Sequence, residues 1–255
     1  MPKTVLDFQI IDNKQLTRDF FILELSAGIA LPEILPGQFA QVRVDGSADT
    51  FLRRPFSVYD VNYEAGSIRL LLQVVGNGTK ALSLLRKGES LNLILPLGKP
   101  FSKPGEEERS LLIGGGVGIA PLLYLGKYLR SIDSDFEYLL GFRSRDRIIE
   151  YQEFSQIAKV HITTEDGSEG EKGFVTQHSV LSGTNYSRIY CCGPDEMMKA
   201  IGEFAKKKKI HCEVSLENLM GCGFGVCLCC VVKTTSGNLC SCIDGPVFNI
   251  NDLKW

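Results

Sequence analysis

Apolar and polar positions follow one rhythm in the first hundred residues, another in the next hundred, and neither in the tail. Short alternating runs come first: Val5 to Ile11, Phe20 to Leu25, Phe39 to Val44, Ile68 to Val75 and Leu91 to Pro96. Alternation of this length predicts strands. Turn signals such as Pro36-Gly37 separate them, with one weak helix around Lys80 to Arg86. Many short strands predict a small antiparallel β-barrel over residues 1–103. The polar stretch Lys103 to Arg109 reads as a linker.

Residues 104–211 change rhythm. Strand-like runs at Ser110 to Ile113, Phe136 to Phe142, Val160 to Thr164 and Arg188 to Cys192 alternate with helix-like segments. The helices are expected at Leu122 to Leu129, Arg147 to Ile157, Phe174 to Leu181, and along the face Met197, Met198, Ile201 and Phe204. Strand and helix in alternation predict a Rossmann-like α/β domain. Residues 212–255 form a third, cysteine-rich segment. The fold class is therefore multi-domain, β plus α/β.

At 255 residues the chain has room for about two domains. A net charge of -2 offers no footprint for nucleic acid or an anionic membrane. No apolar run reaches the roughly 18 residues of a membrane span, and Met1 to Leu23 lacks the pattern of a secretory signal. A cytoplasmic protein with reduced thiols is expected.

The thiols carry the chemistry. Six of nine cysteines lie between Gly221 and Cys242. Cys222, Cys227 and Cys230 have the C-x4-C-x2-C spacing of a plant-type [2Fe–2S] site, and Cys242 is the candidate fourth ligand. Zinc is the rival, although its ribbons space two C-x2-C pairs differently. Disulfides are a weaker rival. Cys229 and Cys240 remain alternative ligands. His161, His178 and His211 show no metal or triad spacing.

Three further stretches invite ligands. Arg53 to Tyr59 offers a guanidinium, an aromatic and a hydroxyl on one strand, suited to a flavin nucleotide; taken alone it more simply describes a strand with a surface ion pair and a core Phe. Gly76 to Lys80 can make an anion site or a plain turn. Gly114 to Pro121, between a strand and a helix, has the context of a dinucleotide phosphate loop, with Gly115, Gly116, Gly118 and Pro121 in it. Carboxyl ends of the later strands bring Thr163, Cys192, Gly193 and Pro194 to the same edge. There Cys192 either faces a nicotinamide or is a small buried residue.

The order Arg54-Pro55-Phe56-Ser57, Gly78-Thr79, GGGVGIAP and CCGPDEMM resembles the ferredoxin-NADP reductase superfamily. The tail, from Ser215-Leu216-Glu217-Asn218 to Asp244-Gly245-Pro246-Val247-Phe248, resembles electron-transfer subunits of NAD-dependent (type B) dihydroorotate dehydrogenase. The resemblance implies an FAD barrel, an NAD(H) domain and a small C-terminal [2Fe–2S] domain. It implies that Arg54, Pro55, Phe56, Ser57, Leu71, Leu72, Gln73, Gly78 and Thr79 line the flavin. Cys222, Cys227, Cys230 and Cys242 would hold the cluster. Ser57, at the flavin ring, and Cys192, at the nicotinamide, are the candidate catalytic residues. Phe56 replaces a Tyr common in the superfamily, and Gln73 stands where Arg is frequent. The implied partner is an FMN-containing catalytic subunit, two copies of each, interconverting dihydroorotate and orotate in pyrimidine synthesis. Alternatives are a stand-alone or differently partnered NAD(P)H reductase of ferredoxin, sulfide or hydrogenase type, and a zinc-bearing structural subunit. NADP stays open because Arg143 and Arg145 can meet a 2'-phosphate.

Overall fold

The computed structural model describes residues 3–47, 49–183 and 185–255; Met1, Pro2, Ala48 and Thr184 lie outside them. The first sheet contains β1 (Thr4–Gln15), β2 (Phe20–Ser26), β3 (Phe39–Val42), β4 (Arg54–Ser57), β5 (Asp60–Asn62), β6 (Ser67–Gln73) and β7 (Ser90–Leu97), with helix α1 (Asn77–Ser83) between the last two. All its pairings are antiparallel, in the order β4-β3-β7-β1-β2-β6-β5. The edge strands β4 and β5 are joined only by Val58 and Tyr59. Seven flat strands would hold these edges roughly 29 Å apart, yet the linker spans at most about 11 Å. The sheet must therefore curl into a barrel. Alternation drives this: in β1, Phe8 and Ile10 are buried while Asp7 and Gln9 are exposed. Phe8, Phe21, Leu23, Leu70 and Leu93 fill the interior. Helix α1 starts earlier than the expected Lys80, because Thr79 Oγ1 accepts the amides of Val75 and Gly76 at 2.9 and 3.2 Å and so caps the helix.

The second sheet contains β8 (Ser110–Gly115), β9 (Phe136–Phe142), β10 (Val160–Thr164), β11 (Glu171–Lys172), β12 (Arg188–Cys192), β13 (His211–Ser215) and, from the tail, β16 (Val247–Asn249). Their order is β11-β10-β9-β8-β12-β13-β16, parallel except for the last pair. The five central strands thus run 3-2-1-4-5 in order of appearance. The order reverses between β8 and β12, and ligands of such sheets bind at that switch. Helices α2 (Ala120–Ser131) and α5 (Asp195–Lys208) cover its faces. Two expected helices are shorter. Arg147 to Ile157 is a 3-10 turn, Arg145–Arg147, followed by α3 (Tyr151–Ser155); Glu150 at φ 51° interrupts it. Phe174 to Leu181 is a 3-10 turn, Val175–Gln177, then α4 (Val180–Gly183), broken by extended His178. The tail adds the hairpin β14 (Val231–Thr234) and β15 (Gly237–Cys240). No helix among the described residues is long and apolar enough to cross a membrane.

Side chains fix one sheet against the other. Phe20, Ile22 and Leu71, on the outer face of the barrel, join the core under α2. Beside them Arg69 donates to Asp60 at 2.6 Å and to Glu153, its guanidinium 5.1 Å from the Tyr59 ring. Lys127 on α2 reaches Asp60 at 2.7 Å, and Tyr59 donates to Glu153 at 3.2 Å. Burial would raise the Glu153 carboxyl, but Arg69 and Lys127 outweigh it and hold the group below its ordinary range. The tail is clamped too: Lys99 N donates to Gly245 O at 2.5 Å and Ser102 N to Glu213 at 2.9 Å.

Replacing Arg69 by Met leaves two part-buried carboxylates with Lys127 alone. We expect a loss of about 2 kcal/mol, a fall of about 4–8 °C in Tm, read by calorimetry; an unchanged Tm would refute the coupling. Glu137 gives a pH prediction. Burial pushes its carboxyl up, but bonds from His161 at 2.8 Å and Tyr186 at 2.7 Å, with Lys159 nearby, bring it from 4.5 to about 2. Its folded value lies below its unfolded one, so its stabilisation is complete above pH 4.5 and lost as pH falls toward 2. Urea midpoints of wild type and Glu137→Gln should differ most near neutrality and converge across that window.

Candidate functional site

A cleft of about 640 Å³ opens at the carboxyl ends of the second sheet, at the β8/β12 switch. Gly115, Gly116, Gly118, Thr163, Gly193 and Pro194 line it, and Phe20 and Gln73 of the barrel form its opposite wall. Gly116 takes φ 56°, turning the chain into a 3-10 turn that leads to α2, with Pro121 in the first turn. A Cβ on Gly118 would lie 2.5 Å from Gly193 Cα, so two backbone segments touch there. Close backbone of this kind lets phosphate reach free amides.

Of the expected residues, Pro121 and Cys192 do not reach the cleft, and Thr163 reaches it with its hydroxyl already engaged. Pro121 is buried and does not line the cleft. Thr163 lines it, but its hydroxyl lies 2.8 Å from the carbonyls of both Glu171 and Gly173, so it secures β11. Cys192 lies buried behind the cleft wall, its Sγ 3.9 Å from Glu217 Oε1. Burial above all, and then Glu217, lifts the thiol well above its ordinary range. Glu217 is exposed where it opens onto the cleft, and its carboxyl is raised by desolvation from the surrounding protein and then by Asp195. Sequence reasoning missed Glu217 as a site residue. Its signal was position, two residues past the end of β13, next to β12. Of the candidate arginines, Arg143 lines the cleft while Arg145 pairs with Glu169 at 3.6 Å.

The flavin candidates gather at the barrel seam. β4 has a neighbour on one side only, and β5 covers only Ser67 to Arg69 of β6. Among the described residues the outer edge of β4 and that of Leu71 to Gln73 pair with no strand. Their free N–H and C=O groups suit the polar edge of a flat ring. Pairing with β3 puts Pro55 and Ser57 on one face of β4 and Arg54 and Phe56 on the other; a ring along the free edge meets both. Leu71 and Leu72 give their side chains to the cores, so only their backbone can serve a ligand. Gly78 and Thr79 open α1 just beyond; a Cβ on Gly78 would lie 3.1 Å from Thr50 Cγ2, and the Thr79 hydroxyl is occupied in the cap.

The cysteine loop rests on the outer face of β3 and β7, where Cys230 and Cys242 pack with Phe39, Ile94, Leu97 and Met220. Backbone amides bind sulfur: Phe224 N to Cys222 at 3.3 Å, Cys227 N to Cys222 at 3.5 Å, Gly225 N to Cys242 at 3.2 Å and Cys242 N to Cys230 at 3.4 Å. The thiols fall into two linked pairs, Cys222 with Cys227 and Cys230 with Cys242. Two thiolates per iron is the need of a [2Fe–2S] rhomb, so this donor set fits. Among the described residues no three His, Cys, Asp or Glu converge on a single metal point. The amides of Cys227 and Phe224 bring the Cys222 thiol down to about 6, while burial lifts Cys242 to about 12. Iron bound by these thiols would reverse the latter by its charge. Gly223 and Gly225, at φ 77° and 76°, let these amides turn inward, and Leu228 at φ 56° turns the chain between Cys227 and Cys230. Cys229 is exposed, whereas Cys240 is half-buried beside Cys230.

Residues 217–254 match the family described as the iron-sulfur cluster binding domain of dihydroorotate dehydrogenase B, and 112–203 the oxidoreductase NAD-binding domain. The chain is 37% identical to the electron transfer subunit of dihydroorotate dehydrogenase B (NAD(+)) of Shouchella clausii, over 96% of both chains. It is 39% identical to that of Clostridium perfringens, over 88% of both. Among solved structures, NADH-dependent reduced ferredoxin-NADP oxidoreductase, studied for flavin-based electron bifurcation, superposes with a TM-score of 0.88 at 31% identity, covering 100% of this chain and 92% of that one. The ferredoxin reductase of carbazole 1,9a-dioxygenase, at 22% identity, shares the fold with a TM-score of 0.71 over 82% and 67%.

Gly118→Ala tests the cleft. The added methyl meets backbone at 2.5 Å, so the loop must shift. NADH affinity, by fluorescence titration, should fall at least about tenfold, or about 1.4 kcal/mol; unaltered affinity would place the dinucleotide elsewhere.

Proposed function

Because this chain belongs to the family of electron transfer subunits of dihydroorotate dehydrogenase B, we propose that it passes electrons between NAD(H) and a separate dihydroorotate-oxidising subunit in pyrimidine synthesis. The observation that carries this is an arrangement in line. The cleft shares Gln73 with β6, the seam lies between β6 and β4, and the cysteine loop covers β3, next to β4. Bound FAD supplies two-electron exchange with the nicotinamide and one-electron exchange with the cluster.

The protein's own residues bind and orient. Gly115, Gly116 and Gly118 offer the dinucleotide phosphates their amides, and Gly193-Pro194 closes over the nicotinamide. Cys192 and Glu217 sit behind it as positioning groups, since hydride transfer requires no acid or base. Ser57 reaches the flavin ring, Phe56 covers it, and Arg54 meets its pyrophosphate. Cys222, Cys227, Cys230 and Cys242 hold the cluster. The flavin, NAD and cluster segments are 1–103, 104–211 and 212–255, with β13 and β16 of the last segment built into the NAD sheet.

Val226, 82% exposed, with Leu228, Ile243 and Phe224, makes an apolar rim around the cluster loop. This rim is the proposed docking face for an FMN-containing catalytic subunit, two copies of each forming the assembly. All nine cysteines are free, which suits a reducing cytoplasm. The likeness to the ferredoxin-NADP oxidoreductase favours a second reading, in which the rim meets a different electron-carrying partner.

The deciding experiment is co-expression with a dihydroorotate-oxidising subunit. The co-purified complex should reduce NAD+ with dihydroorotate, and this chain alone should not. Activity of the chain alone, or a chain that binds no such subunit yet exchanges electrons with ferredoxin, would overturn the proposal.

A further inference from the structure

Gln41 stands out on the barrel's outer face. Along β3, Ala40 and Val42 point into the barrel, while Phe39 and Gln41 point outward beneath the cysteine loop. Around Gln41 on that face lie Phe39, Ile94, Leu97 and Met220, all apolar. Its relative exposure is 0%, and neither Nε2 nor Oε1 has a hydrogen-bond partner. An amide buried without partners costs about 1–3 kcal/mol. Asn92, two residues along β7 from Ile94, is bonded to Arg53 and Asp7, so the Gln41 carboxamide calls for a partner of its own.

What lies over it is the backbone of the first ligand turn. A Cβ on Gly223 would sit 2.9 Å from Gln41 Cγ and 3.4 Å from Nε2. Gly223 follows Cys222 directly, and its φ of 77° brings the turn down onto the amide. On the other side, Gln41 is the cross-strand partner of Pro55 in β4, and Arg53 Nη1 donates to its carbonyl oxygen at 3.3 Å. The side chain therefore stands between the proposed flavin seam and the sulfur ligands.

We propose that Gln41 is a positioning residue for the [2Fe–2S] cluster: its carboxamide N–H donates to a cluster sulfur and stabilises the reduced state. The inference rests on the reading that this loop holds the cluster. Reduction adds negative charge to the sulfurs, so a donor aimed at them is bound more strongly after reduction than before, and the potential rises. Backbone amides already serve Cys222, Cys230 and Cys242 in this way. Gln41 adds a donor from the barrel, on the side where electrons arrive or leave.

The test is a redox titration of the co-purified complex followed by EPR, with iron and sulfide assayed first. In Gln41→Leu, with iron content kept, the oxidised-to-reduced ratio of the cluster at fixed ambient potential should rise about tenfold, which is about 59 mV for one electron. The flavin ratio should stay put. Gln41→Glu, which removes the donor and adds charge, should shift the cluster further the same way. A fully loaded Gln41→Leu with wild-type ratio and wild-type EPR line shape overturns the proposal. Should the variant lose its cluster, the wild type decides: glutamine carrying 15N in its side chain should give a nitrogen coupling in the reduced cluster's ENDOR spectrum, and its absence overturns the proposal. A wild type free of iron and sulfide sinks the cluster reading itself.

Discussion

Two residues, Val58 and Tyr59, separate the strands at opposite edges of the first sheet. That short tether forces closure, and closure is incomplete: among the described residues, the outer edges of β4 and of the end of β6 pair with no strand. The seam is where a barrel of this sequence must find another partner for its N–H and C=O groups. Everything functional is arranged around it. The dinucleotide cleft opens at the end of β6, and the cysteine loop lies across β3, one strand from the seam. A flat cofactor held there is within reach of both.

Charge and packing then make this arrangement rigid. Arg69 lies on β6 itself, so the ion cluster with Asp60, Glu153 and Lys127 ties the seam-bearing strand to α2 and α3 of the other half. Phe20 and Ile22 of β2 add apolar burial at the same joint. Hydride transfer is sensitive to a misplacement of about 1 Å, and a joint made of part-buried charge plus aromatic packing resists the shear that would spoil it.

Much of this was legible in the chain's rhythm. Period-two alternation at Val5 to Ile11 and Phe39 to Val44 marked barrel strands, and Gly114 to Pro121 announced the strand–turn–helix of the dinucleotide half. The cysteine spacing pointed to a loop whose backbone amides turn toward sulfur. What escaped was set by distance along the chain. Glu217 belongs to the cleft only because β13 lies beside β12, a pairing no local pattern encodes. The breaks at Glu150 and His178 likewise depend on conformations that periodicity does not report. Thr163 and Pro121 were marked by their neighbourhood, but one is occupied by β11 and the other is buried.

The tail's strands carry a further meaning. β13 is hydrogen-bonded to β12 along its length, and β16 returns antiparallel to close that side of the sheet. The iron-binding loop is therefore an excursion out of the dinucleotide sheet rather than a bead strung after it. Removing the tail together with β13 would bare the edge of β12, an adhesive margin prone to self-association. The thiol loop and the strands on either side of it are therefore one structural unit.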